Sequence, residues 1–149
     1  MKNSAHQNYL SQLIWKDDFH LQINDVNFHL SVDTKELQGG KSSNKSFLLG
    51  KSRNMIEKSA LVGEDIKINK VFEMGILQGG SIALYDQLWK PEKIVAIDYV
   101  ADPVAPLTKY IEDHAKKDQI KPYYGVNQAD RSGVEGILQA EFPNKDIDL

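Results

Sequence analysis

The chain has 149 residues, the size of one domain with room for a substantial hydrophobic core. A formal net charge of −3 gives no electrostatic footprint for nucleic acid or an anionic membrane surface, and the absence of cysteine excludes disulfides, thiolate metal sites and thiol nucleophiles. No run approaches the ~18 consecutive apolar residues of a membrane span, and the amino terminus lacks the apolar core of a signal peptide, so no membrane partner is expected and a cytoplasmic protein is.

The first 17 residues are polar, with Tyr9, Leu10, Leu13 and Ile14 at the spacing of a short amphipathic helix. The period then becomes two. Phe19, Leu21 and Ile23 alternate with polar residues, and after Asn24-Asp25 the alternation resumes at Val26, Phe28, Leu30 and Val32, which predicts a β-hairpin with one buried face. His20 and His29 fall on its polar face without a third ligand in register and read as surface residues, so no metal site is expected. Residues 34–46, with Gly39-Gly40 and Ser42-Ser43-Asn44, read as a flexible polar connector. Ser52 is placed to cap a helix running to about Val62, with Met55, Ile56 and Leu61 inward.

The most informative stretch follows. Lys70-Val71-Phe72-Glu73 is a short apolar run ending in an acid; Gly75-Ile76-Leu77-Gln78-Gly79-Gly80 is a glycine-rich turn; Ser81-Ile82-Ala83-Leu84-Tyr85 opens a helical pattern. This is strand, turn and helix, the first half of a βαβ unit. Gly75 suits a sharp turn off the strand, and Gly79 and Gly80 suit a close approach of backbone and ligand without an intervening Cβ. The turn aims backbone N–H groups and the positive end of a helix dipole at one spot. A dinucleotide fingerprint would need glycines at 75, 77 and 80, but Leu77 occupies the middle position, where a pyrophosphate would lie against the backbone. Glu73 is also poorly placed beside a phosphate and well placed for a cationic amino group. S-adenosylmethionine, which carries an amino group and no phosphate, meets both conditions.

Ile82, Tyr85, Leu88 and Trp89 give the next helix, 81–89, a buried stripe, with Pro91 just beyond its end. Lys93-Ile94-Val95-Ala96-Ile97-Asp98 is a β-branched strand ending in an acid 23 residues past Gly75, the interval and position of a carboxylate that accepts from both hydroxyls of a ribose. A helix over about Val104–Lys117 turns Leu107, Tyr110 and Ile111 inward and leaves His114 exposed. Ile120–Tyr124 then reads as a strand whose Pro122 places it at a sheet edge. Asn127 and Gln128 follow it, each offering a donor and an acceptor suited to a purine edge. Ser132-x-x-Glu135 has the form of a capping box for a helix to about Glu141.

Glu73-x-Gly75-x-x-x-Gly79-Gly80-Ser81 resembles motif I of class I S-adenosylmethionine-dependent methyltransferases, in the variant seen in catechol-O-methyltransferase-like and related small-molecule O-methyltransferases. Gly125-Val126-Asn127-Gln128-Ala129-Asp130 resembles the pattern after the third strand of these enzymes, where side chains meet the adenine edge; Asn127 stands where the family often has Asp. The resemblance implies an α/β fold with a Rossmann-like doubly wound parallel sheet. It also implies S-adenosylmethionine as cofactor, a small hydroxylated methyl acceptor as partner, and Glu73, Gly75, Gly79, Gly80, Ser81, Asp98, Asn127, Gln128 and Asp130 as cofactor-binding residues. In that family the element before the first strand borders the methionine end of the cofactor, which brings in Lys51, Ser52 and Met55.

Residues 1–46 are then an N-terminal helix and hairpin extension with its linker, and 47–149 the cofactor-binding half of the domain. Asp146–Leu149 would begin a fourth strand beside the first, leaving the sheet incomplete and its edge open to a homo-oligomer. The family's usual places for a general base fall past Leu149, so no catalytic residue is assigned and methyl transfer by these 149 residues alone is not expected. Two other readings stay open: a nicotinamide-dependent Rossmann oxidoreductase or epimerase, and a non-enzymatic fragment.

Overall fold

The computed structural model describes residues 8–149, and the first part of the predicted N-terminal helix lies outside them. Its remainder is not an α-helix. A 3-10 turn at Leu10–Gln12 leads into strand β1 (Ile14–Trp15), which pairs antiparallel with β2 (His20–Ile23). A β-branched residue followed by an aromatic one favours that edge position over a helix. The predicted hairpin is present: β2 pairs antiparallel with β3 (Val26–Leu30) around Asn24, whose φ of 53° is the left-handed value a tight turn requires. Leu21, Ile23, Val26, Phe28 and Leu30 are buried as the alternation demands, but Phe19 and Val32, beyond the ends of the ladder, are exposed.

The expected flexible connector contains a helix, α1 (Thr34–Gly39), capped by Asp33, whose carboxylate accepts from the N–H groups of Lys35 and Glu36. The reason is topological. The next strand, β4 (Ser46–Leu49), pairs parallel with β3, and parallel neighbours need a crossover that a hairpin turn cannot supply. Helix α2 (Arg53–Asp65) starts at the predicted cap, with the Ser52 hydroxyl accepting from the Met55 N–H. Ile56, Ala60 and Gly63 face inward, whereas Met55 and Leu61 are exposed, contrary to the sequence reading.

The second sheet is wholly parallel, in the order β5 (Lys70–Met74), β6 (Lys93–Asp98), β7 (Ile120–Tyr124). Helix α3 (Gly80–Trp89) connects the first pair and α4 (Ala105–Asp113) the second, and α5 (Arg131–Glu141) follows β7. Helix α4 stops four residues short of the predicted Lys117, and His114 is half-buried against the Tyr110 ring rather than exposed. Pro122 lies on β7, which pairs with β6 alone, as an edge strand allows. Asp146–Leu149 runs along the other side of β5: the Asp148 N–H donates to the Lys70 carbonyl and the Phe72 N–H to the Leu149 carbonyl. The molecule is therefore α/β, with parallel pairing in both sheets and five α-helices among the described residues.

Helix α3 is buried on all sides from Ile82 to Trp89, not along one stripe. It packs against β2, β4 and β6, and a helix between two sheets is covered all round. One core consequently runs through both sheets. Phe28 and Phe47 from the first meet Tyr110 of α4, with Phe47 and Tyr110 edge to face at 5.6 Å between centroids.

Candidate functional site

The carboxyl ends of β5 and β6 lie side by side, because Glu73 and Met74 are in register with Ala96 and Ile97. The chain leaving β5 turns at Gly75, whose φ of 95° is open to glycine and strained for other residues, and the Gly75 N–H donates to the Ile97 carbonyl. Leu77 sits at φ 51°, in the left-handed region, with its side chain half exposed.

The two downstream glycines are closely approached by the chain itself. Gly79 has φ 84°, and a Cβ there would come within 2.9 Å of the Leu107 side chain. A Cβ on Gly80 would overlap the Leu48 carbonyl at the end of β4. These contacts hold the start of α3 against both α4 and the first sheet.

Asp98, at the end of β6, closes the turn. One carboxylate oxygen accepts from the N–H groups of Ile76 (2.7 Å) and Leu77 (3.2 Å), and the other from Val100 (2.8 Å). Partial burial opposes its ionisation, but the three donors outweigh it and hold the carboxyl below its usual range. The turn thus carries its own anion.

A cavity of about 250 Å³ opens beside this carboxylate, lined by Gly75, Asp98, Tyr99, Val126, Asn127 and Gln128 among others. The structure brings together Gly75, Asp98, Asn127 and Gln128 of the predicted set. The sequence reading missed Tyr99, which is 77% exposed at the cavity rim; an aromatic residue directly after the strand-end acid was its available signal. Asp130 stands apart as the N-cap of α5, its carboxylate accepting from the Gly133 N–H, so it and not Ser132 begins the helix. Glu135 pairs with Arg131 at 2.7 Å instead of closing a capping box.

Glu73 and Ser81 do not line this cavity; they lie near the end of β5 and at the start of α3. The Glu73 Oε2 is closed to solvent and has no hydrogen-bond partner among the described residues. Burial raises its carboxyl to about 7, against the opposing pull of the Lys51 ammonium and the Ser81 hydroxyl. The same burial, with the Glu73 charge adding to it, pushes the neighbouring Tyr85 phenol up. A buried carboxylate oxygen lacking a donor is the sort of atom a bound ammonium or amine satisfies.

Compared with known proteins, the chain matches no family model, no curated protein and no solved structure.

Among the larger cavities elsewhere are one of about 320 Å³ beside Trp89 and one of about 410 Å³ between α5 and the carboxyl-terminal segment. Neither lies where parallel strands deliver their carboxyl ends beside a glycine turn, the usual place for a ligand in an open α/β sheet. Among the described residues no group of three or more His, Asp or Glu is arranged to hold a metal ion, and no helix is long and apolar enough to cross a membrane.

Proposed function

We propose that the turn between β5 and α3 binds S-adenosylmethionine, and that the chain carries the cofactor site of a class I methyltransferase acting on a small hydroxylated molecule. The observation that carries this reading is the pair of carboxylates flanking Gly75. Glu73 has a buried oxygen that wants a cationic donor, and Asp98 already occupies two N–H groups of the turn with negative charge. A phosphate would meet repulsion from both acids. A ligand with an amino group, a ribose and no phosphate meets neither objection.

In this reading Glu73, with Ser81 beside it, accepts the amino group of the methionine end. Asp98 retains lone pairs beyond its three backbone bonds and accepts from the ribose hydroxyls. Asn127 and Gln128 line the side of the cavity where the adenine edge would lie, with Tyr99 at its rim. The cofactor supplies an electrophilic methyl group on a sulfonium, and the acceptor oxygen takes that methyl while sulfur keeps the electron pair of the broken bond. The chain's own contribution is to bind both in line and exclude water, so that orientation lowers the barrier. Sheet two, with the carboxyl-terminal segment beside β5 followed by β6 and β7, fits one half of a Rossmann-like doubly wound sheet, and the cytoplasm is the compartment we assign.

Amide chemical-shift mapping with S-adenosylhomocysteine tests the site. Shifts are expected at 73–81, 98–100 and 125–128. Shifts confined to the cavity beside Trp89 or to α5 would overturn the assignment.

A further inference from the structure

Phe19 and Val32, which the alternating pattern assigns to the core, are 62% and 74% exposed. They stand at a small cavity between the hairpin and the start of α2, lined also by Leu30, Ser31, Lys51 and Ser52. The backbone holds this cavity in shape. The N–H groups of Ser31 and of Lys51 both donate to the Leu49 carbonyl, at 3.0 and 2.9 Å, so the chain leaving β3 and the chain leaving β4 are tied at one atom. Leu48 in turn packs on Gly80, which sets this corner directly against the start of α3.

The charges around the cavity are unequal in availability. Arg53 and Asp18 both line it but are paired with each other at 3.1 Å, and Arg53 is further held by Glu57 at 2.8 Å and stacked over the Trp15 ring. Lys51 is different. Among the described residues it forms no ion pair; its ammonium lies 5.8 Å from the Tyr85 ring centroid and feels the Glu73 charge from the side of the glycine turn. The cavity is therefore lined by a half-buried lysine that is in no ion pair among the described residues, beside exposed apolar side chains, at the boundary with the Glu73 end of the proposed cofactor site. Its volume of about 130 Å³ is close to, and slightly below, the ~150 Å³ of a closed cavity that holds benzene, and it opens to solvent, so a ring can enter with its polar substituents outside it.

We propose that this cavity is the acceptor site, an assignment that rests on the methyltransferase reading, and that it takes a ring-sized hydroxylated molecule bearing a carboxylate, with the anion on Lys51 and the ring against Phe19 and Val32. Lys51 is the specificity-determining residue. A charge-assisted contact to a partly desolvated ammonium selects an anion over its neutral isostere, while the apolar rim accepts a ring face.

The test is a titration of the whole chain, followed by amide chemical shifts, with 4-hydroxybenzoate and its uncharged counterpart 4-hydroxybenzamide. 4-Hydroxybenzoate should shift the amides of 30–32 and 51–53 and bind about tenfold more tightly than the amide, the discrimination one charge-assisted hydrogen bond provides. Lys51→Gln should abolish that preference and Lys51→Arg should retain it. If the Gln variant does not give a native spectrum, the acid–amide comparison in the unmodified chain decides. Equal affinity for the two compounds, or no shifts at these amides, overturns the proposal. S-adenosylhomocysteine titrated separately divides the cases: its binding without a response to 4-hydroxybenzoate removes the acceptor site and leaves the cofactor site standing. A response to 4-hydroxybenzoate without S-adenosylhomocysteine binding leaves an anion pocket and overturns its role as acceptor site together with the cofactor reading.

Discussion

Two carboxylates at the same turn, Glu73 near the end of β5 and Asp98 at the end of β6, behave oppositely, and the difference is in their donors. Asp98 is surrounded by three backbone N–H groups and stays ionised; Glu73 has an oxygen with none and is pushed up to about 7 from an ordinary 4.5. Because the folded state favours the protonated form of Glu73, the folded chain holds more protons than the unfolded chain between these two values. Stability is greatest below pH 4.5 as far as Glu73 is concerned and falls as pH rises towards 7, by about 1.4 kcal/mol per unit of separation. Glu73→Gln should therefore raise the Tm at pH 8 and flatten its decline between pH 4.5 and 7, read by thermal melts across that range. The acids themselves were legible in the sequence from their places at two strand ends. Their opposite states were not, since a donor count belongs to the folded turn.

At the scale of elements, the sequence pattern located every strand of the parallel sheet, the hairpin and the Ser52 cap, because each has a strong local signal: period two, a β-branched run, or a hydroxyl before a helical pattern. It missed α1, β1 and β4. The Thr34–Gly39 segment is polar with a terminal glycine pair, and its helix follows from the need to return β4 parallel to β3; the pairing of Ile14–Trp15 follows from an available edge on β2. Neither cause is local. The glycines show the same division. Gly75 is explained by its own φ, whereas Gly79 and Gly80 are explained by Leu107 and Leu48, distant in sequence. Gly80→Ala should thus destabilise the fold by about 2 kcal/mol through overpacking against a backbone carbonyl that cannot rotate away, measured by urea denaturation. An unchanged midpoint would mean that the glycine is kept for a ligand.

For the whole molecule, α3 is the shared element: buried between the two sheets, it ends in a polar network that joins them. The Tyr110 hydroxyl donates to Asp86 at 2.6 Å, Gln87 donates to the same hydroxyl at 2.6 Å, and Asn24 of the hairpin turn donates to Gln87 at 2.8 Å. Lys116 lies 3.3 Å from the other Asp86 oxygen. Removing one member leaves buried partners unsatisfied, so Asp86→Ala should cost about 3 kcal/mol or more. With one core and this network, residues 8–46 and 47–149 should unfold in a single transition, with tryptophan fluorescence at Trp15 and Trp89 and far-UV circular dichroism superimposing; two separated transitions would mark the hairpin region as an independent unit.

The most direct test of the cofactor assignment is calorimetric titration of the folded chain with S-adenosylhomocysteine and, in parallel, with NADH, repeated on Asp98→Ala. The account predicts binding of S-adenosylhomocysteine, accompanied at pH 7 by proton release as the ligand's ammonium favours ionised Glu73, its loss in Asp98→Ala, and no binding of NADH. NADH binding without S-adenosylhomocysteine binding, or no binding of either by the folded chain, would contradict it.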